Sequence, residues 1–258
     1  MPYFTHKTKE MLKISLKAGL FAILASILFF SCKKNEPQPA DVLVDIKTYV
    51  KNDEVVKNDI KYETVAGHQY SLTKLVYYLS HINIVKEDGT VVQLKKAHLR
   101  NIDESLTERI VGMDVPPGHY TAMTFTFGIN KSDNVVDFLE NTVSNQNMYW
   151  PDVLGPGTYH YMKLEGQYKA GGSGVQKGFA FHLGPTSGAD YSIDVNQPID
   201  LNIDDVNQHL TIKMDIDKWF HSPNDWDFQD WNGGIMDKTA AQILANENGQ
   251  DVFSVSVD

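Results

Sequence analysis

The sequence has almost no cysteine. Cys32 stands alone among 258 residues, which excludes an intrachain disulfide, a multi-thiolate metal site and paired-thiol redox chemistry. Basic charge is also short, with 23 Lys and Arg against 33 Asp and Glu and a formal net charge of −10. Such a chain repels phosphate backbones, and no basic stripe interleaved with aromatics relieves the repulsion, so no nucleic-acid partner is expected. Long apolar runs are missing too: the run from Ala18 to Phe30 falls short of the roughly 20 residues a spanning helix needs. Nor is there a G-x-S-x-G elbow, an H-E-x-x-H pair, a phosphate-binding loop or a dinucleotide fingerprint. A binding protein, not an enzyme, is the expectation.

What is present begins with an export pattern. Lys7, Lys9, Lys13 and Lys17 precede the apolar run, and the small Ser31 precedes Cys32. This basic, apolar, small order predicts a lipoprotein signal peptide over residues 1–31, cleaved before Cys32, whose sulfur carries the lipid. Phe29 replaces the leucine common three residues before such a cysteine. Residues 32–40 (CKKNEPQPA) hold too little apolar surface to order themselves and read as a lipidated stalk. Removing the leader shifts the net charge to about −13. The expected location is extracytoplasmic and membrane-anchored through lipid; Lys33 and Lys34 after the cysteine favour the outer membrane.

From residue 41 to 258 the pattern is one of period two, over Asp41 to Val50, Lys74 to Val85 and His119 to Ile129, with Glu87-Asp88-Gly89 as a turn into Val91 to Leu94. Further strands are predicted over Tyr159 to Tyr168, Val175 to Leu183, Ala189 to Ile193, Ile199 to Ile203 and Gln208 to Asp215. Residues 170–174 (AGGSG) read as a hairpin loop joining Leu164 to Tyr168 with Lys177 to Leu183. Helix signals are few: Asp133 as a cap for a helix through Asn141, and a helical face of Met236, Ala240, Ile243, Leu244 and Glu247 stopped by Gly249. The fold class predicted is mainly β, a single β-sandwich or open-barrel domain with one or two short helices.

The middle of the chain is compositionally distinct. NMYWPDVLGPGTYHYMKLEG (147–166) joins a Trp-Pro loop to a strand rich in Tyr, His and Met, and FAFHLG (179–184) supplies its partner. Together with LVYYLSHINI (75–84), PGHY (117–120) and FGI (127–129), these segments resemble, in order and spacing, the MbnP-like family of periplasmic and lipoprotein copper-binding proteins. The resemblance implies one copper ion held by histidines and by a tryptophan oxidised to kynurenine, with a dihaem MauG-like, peroxidase-like enzyme as the oxidising partner and an outer-membrane transporter in an uptake role. By that resemblance Trp150 matches the tryptophan and His182 the histidine of the HLG motif, and His160 is a further candidate ligand. Imidazole suits copper in either oxidation state, and the thioethers of Met148 or Met162 would bias a site towards Cu(I). An indole has only a donor N–H, whereas kynurenine adds a carbonyl and an aniline nitrogen that can act as ligands.

The chain departs from the family pattern in three places. Thr48 stands where a first-strand histidine is expected, the C-terminal cysteine pair of some members is missing, and Thr158-Tyr159 replaces a Gly-Tyr pair. His81 is a lesser candidate, and His68, His98, His119, His209 and His221 are assigned no role. The segment WFHSPNDWDFQDW (219–231) offers Asn224, Asp225, Asp227 and Asp230 to a hard cation, but Gln229 and Asp230 break the calcium-loop spacing. Its Trp219, Trp226 and Trp231 suggest an aromatic platform, which carries the alternative reading of a surface-exposed glycan- or protein-binding module.

Overall fold

In a computed structural model of the chain, the residues described are 36–170, 174–231 and 234–258. The predicted leader, Cys32, Lys33 and Lys34 and the tip of the AGGSG loop lie outside them. Residues 36–39 carry no regular structure. Among the described residues no helix is long and apolar enough to cross a membrane.

Strand β1 (Ala40–Val50) shows how the pattern builds the fold. Its Ala40, Val42, Val44, Ile46, Thr48 and Val50 alternate inward with half-exposed residues between them, the period-two signature of a sheet with one buried face. β1 runs parallel to β11 (Gln208–Asp215) along one edge and antiparallel to β6 (Arg109–Val115) and the short β2 (Asp53–Glu54) along the other, with β12 (Phe253–Val257) closing the sheet beyond β11. The second sheet is organised by β4 (Gln69–Lys86), an 18-residue strand long enough to serve two partners on each edge. β8 (Met162–Lys169) and β7 (Gly118–Phe127) share one edge; β3 (Tyr62–Glu63) and β5 (Val91–Asn101) share the other. β9 (Gln176–Leu183) extends the sheet past β8, and β10 (Ile193–Ile203) extends it past β7. Among the described residues the strands form two sheets and neither closes on itself, which makes the architecture a β-sandwich.

The core lies between the sheets. Phe127 packs at 5.0 Å on Trp219 and 5.7 Å on Phe253, and Phe125 meets Phe253 edge-on at 5.4 Å. A second, smaller cluster of Val76, Tyr78, Ile129, Met148 and Tyr159 lies on the outer face of β4, beneath the 130–160 segment. Two faces of one sheet are therefore buried, against different partners.

Three α-helices are present among the described residues: α1 (Val143–Gln146), α2 (Ile216–Trp219) and α3 (Thr239–Asn248). The first begins just after Asn141, where the predicted Asp133 helix was to end, and that helix does not form. Asn134 is buried there, and its side chain is committed to the backbone of Thr158 and Tyr159 instead of facing out from a helix. Thr142 caps α1 by accepting from Asn145 N. The predicted Ala189–Ile193 strand is also absent up to Ile193. Asp190 takes the amides of Lys131 and Ser192 and the hydroxyl of Tyr161 onto its carboxylate, which holds this stretch out of the ladder. Ile199 to Ile203 is the end of β10, whose register shifts between Pro198 and Leu201, a bulge that accommodates the proline.

Candidate functional site

The site forms on the outer face of the second sheet. In β8 and β9, Met162, Leu164, Phe181 and Leu183 point to the core, so the alternating Lys163, Glu165 and His182 point the other way. Lys163 pairs across the ladder with His182, and Glu165 lies on the diagonal. Over this face the chain folds back on itself: Trp150 N donates to Thr158 O at 2.7 Å and His160 N to Met148 O at 2.7 Å, with a bridge between Tyr149 and Tyr159. The fold-back sets His160 between Trp150, at 4.8 Å between ring centroids, and His182, at 5.4 Å; both contacts are edge-to-face.

The hydrogen-bond partners assign the tautomers. His160 Nδ1 lies 3.0 Å from Met148 O, a carbonyl that can only accept, so Nδ1 carries the proton and Nε2 the lone pair. His182 Nε2 lies 3.0 Å from Glu165 Oε1, so Nε2 carries the proton and Nδ1 the lone pair. Both lone-pair nitrogens, His160 Nε2 and His182 Nδ1, are buried without a hydrogen-bond partner, as is Trp150 Nε1. Burial, reinforced by Lys163, pushes His160 down to about 3. Burial also lowers His182, against the opposing pull of Glu165. Both rings are therefore neutral at pH 7 and present bare imidazole nitrogens in a water-excluded place, an arrangement that costs stability unless something binds there.

Supporting groups hold this geometry. Burial acts to raise Glu165, but Lys74 at 3.4 Å and His182 outweigh it, so the carboxylate stays ionised. A carboxylate on the far nitrogen of a metal-binding histidine is the usual orienting partner. Gln242 of α3, fully buried, donates to His182 O at 2.8 Å and accepts from Gly184 N at 3.2 Å, fixing the end of β9. At Gly184 the Trp150 ring packs so closely that a β-carbon would sit 2.4 Å from Cε3 and Cζ3. Gly157, at φ +132°, lets the fold-back pass Pro185, whose Cγ would lie 2.2 Å from a β-carbon there.

The structure brings the candidates Trp150, His160 and His182 into ring contact, and sets beside them Glu165, Gln242 and Asn134, which the sequence did not single out. Met148 contributes its carbonyl to His160, while its side chain joins the outer apolar cluster. Met162 faces the inter-sheet core, on the other side of the sheet from His182. Thr48 faces the core as well, so the missing first-strand histidine takes nothing from the outer-face cluster. His81 pairs with Asp133 at 2.6 Å, and His119 lies between Glu87 and Asp200 on the surface. Among the described residues no three His, Asp, Glu or Cys side chains converge as a metal site. Asp227 is bonded to His68 at 2.8 Å, and Asn224 to Asn248 and Glu247. Trp219 and Trp226 are buried and only Trp231 is partly exposed, so the three tryptophans form no open platform.

Fold and cluster define a β-sandwich whose outer face carries a buried histidine–tryptophan site. The model of the MbnP family matches residues 39–237, and the chain belongs to that family. Its fold is similar to that of MbnP from Methylosinus trichosporium, with a TM-score of 0.52 and 14% identity over 84% of this chain and 98% of that one. No curated protein sequence matches the chain.

Proposed function

We propose that this protein binds one copper ion outside the cytoplasm, as a copper chaperone, buffer or uptake partner, tethered by lipid on Cys32. The observation that carries the reading is the pair of buried, neutral imidazoles whose unprotonated nitrogens lack partners and whose rings stand 5.4 Å apart. His160 Nε2 and His182 Nδ1 are the ligands. Two imidazole donors suit Cu(I), which accepts low coordination numbers, and Met148, whose carbonyl holds His160, is the soft donor on the site's side of the sheet. Belonging to the MbnP family supports the metal assignment.

Trp150 is the third member of the site. As an indole its Nε1–H cannot ligate, and its burial against Gly184 leaves it pressed on His160 with an unpartnered proton. Oxidation to kynurenine by a dihaem peroxidase-like partner would convert it into a donor residue and complete a three-donor set.

The deciding test is a titration of Cu(I) and Cu(II) against a competing chelator, with His182→Ala beside the wild type. One tight site lost in the variant is the expected result. Binding that survives the substitution unchanged places the metal elsewhere. An intact mass of natively produced protein, mapped to the Trp150 peptide, checks the modification: an unaltered tryptophan removes it from the reading while leaving the two-histidine site standing.

A further inference from the structure

His160 Nε2 and His182 Nδ1 are shut off from solvent, so a solute that reaches them needs part of the surrounding wall to move. Most of that wall is tied down. Its floor is the β8–β9 ladder, paired over eight residues, and Gln242 holds the end of that ladder. The flanks of the fold-back are tied as well. Asn134 bonds the backbone of Thr158 and Tyr159 three times, and the amides of Trp150 and His160 complete the pairing.

The loop between those flanks, residues 151–157, is different. None of its residues is buried, and Val153 is 92% exposed. Among the described residues its hydrogen bonds are internal, from Leu154 N to Pro151 O and from Gly155 N to Asp152 O. It rests on the turn 185–188 through van der Waals contact: a β-carbon on Gly155 would sit 2.7 Å from Gly188 N, and one on Gly188 would sit 3.0 Å from Pro156. Gly155 and Gly157 have φ of +116° and +132°, a region that glycine enters at little steric cost, so the loop carries two flexible joints. Directly before it stands Trp150, whose ring lies against both His160 and Gly184. Segments with few buried contacts and few outward hydrogen bonds are the first to open.

We propose that residues 151–157 are a lid with Trp150 as its plug: the loop lifts from the 185–188 turn about Gly155 and Gly157, the indole swings off Gly184, and the imidazole pair opens to a small solute while both sheets stay folded. The use of such a lid rests on the metal-site reading; its motion does not. Closed, it keeps the two nitrogens dry. Opening sets how fast a metal ion enters or leaves, because the rest of the wall is held by the ladder, Gln242 and Asn134.

The test is chemical access in the metal-free full chain at neutral pH, mapped by peptide mass. Diethyl pyrocarbonate acylates unprotonated imidazole nitrogens, and His160 is the reporter because 13% of the His182 side chain is already exposed. His68, also buried and with a bare Nδ1, is the internal reference. Labelling of His160 is expected to keep a flat rate in urea below the unfolding transition, since lifting one loop exposes little surface, whereas His68 labelling should climb with urea as global unfolding does. Pro156→Gly widens the conformations open to the lifted loop and is expected to speed His160 labelling about two- to fivefold while leaving His68 unmoved. A tryptophan-alkylating reagent should reach Trp150 with the same flat urea dependence and spare Trp219, which is also buried. His160 labelled only in step with His68, a Pro156→Gly variant with the wild-type rate, or a Trp150 no more reactive than Trp219 overturns the lid. Because no metal is present, those results leave the copper reading to its own titration, and a chain that binds no copper still answers the question of the lid.

Discussion

Two places in this molecule bury a neutral histidine, and they differ in what the second ring nitrogen does. At the β5 edge, His98 spends both nitrogens, one on Thr107 O and one on Lys95. In the fold-back over β8 and β9, His160 and His182 each spend one nitrogen and leave the other bare, 5.4 Å apart ring to ring. His68 supplies the control between them: its Nδ1 is also bare, but its ring neighbours are Tyr168 and Phe228 and its other nitrogen meets Asp227. A single unpartnered nitrogen is a cost; two on neighbouring rings, with both tautomers fixed by hydrogen bonds, are a candidate site. The carbonyl of Met148 and the carboxylate of Glu165 do that fixing.

Removing each ring separates the two cases most sharply. His160→Ala is expected to weaken copper binding by roughly 100-fold or more, since it deletes one of two imidazole donors. His98→Ala is expected to leave copper affinity unchanged and to lower stability by about 1–3 kcal/mol, because it orphans the Thr107 carbonyl. Chelator competition and denaturant unfolding on both variants read the two effects. Equal copper loss in both would erase the distinction.

Proton uptake tests the same comparison without mutation. The folded value for His160 is about 3 and for His98 about 4, both below the ordinary 6.5, so between these values the unfolded chain binds protons that the folded one refuses. Stability is therefore full above pH 6.5 and declines as pH falls, His98 ceasing to contribute further loss near pH 4 and His160 near pH 3. For His160 the whole effect is on the order of 5 kcal/mol. Bound copper competes with protons for His160 but does not touch His98, so in the wild type copper should extend the acid-induced loss below about pH 3, where the metal-free fold takes up its proton, by an amount that His160→Ala removes. Unfolding curves at successive pH values, with and without copper, supply the measurement.

Crowding at Gly184 offers a smaller lever on the site alone. Gly184→Ala places a methyl group against the Trp150 ring, and relieving it requires moving the indole, at roughly 1–3 kcal/mol. Near-ultraviolet circular dichroism should report the displaced tryptophan. An unchanged spectrum and stability would mean that Trp150 is not held as described.

How far the sequence foretells this follows from the range of each interaction. The strand over Asp41 to Val50 was legible because alternation is a local signal, and the hairpin from Leu164 to Leu183 because two alternating runs flank a glycine-rich loop. Arg109–Val115 and Phe253–Val257 were not, since short strands at sheet margins alternate over too few residues to rise above noise. The predicted Asp133-capped helix and the start of the predicted Ala189 to Ile193 strand fail for one reason: Asn134 and Asp190 commit their side chains to partners that composition does not reveal. Within the site, Trp150, His160 and His182 stand out as residue types. Glu165 does not, because its partnership with His182 depends on the register between two strands; Gln242 acts from a helix some sixty residues away.

The smallest expected effect concerns the two methionines that composition alone cannot tell apart. Met162 is fully buried in the inter-sheet core, so Met162→Leu is a near volume-conserving swap costing under about 1.5 kcal/mol, and it should leave copper affinity as it is because the side chain lies across the sheet from His182. Met148 sits on the site's own side of that sheet, and its backbone already holds His160. Met148→Leu keeps the carbonyl and removes only the thioether. A fall in Cu(I) affinity with Cu(II) affinity unmoved would make the sulfur a soft third donor; no change in either would leave the two imidazoles, with residue 150, as the whole donor set. Chelator titrations in both oxidation states distinguish these outcomes, and any response to Met162→Leu larger than that to Met148→Leu would contradict the assignment of faces on which the site rests.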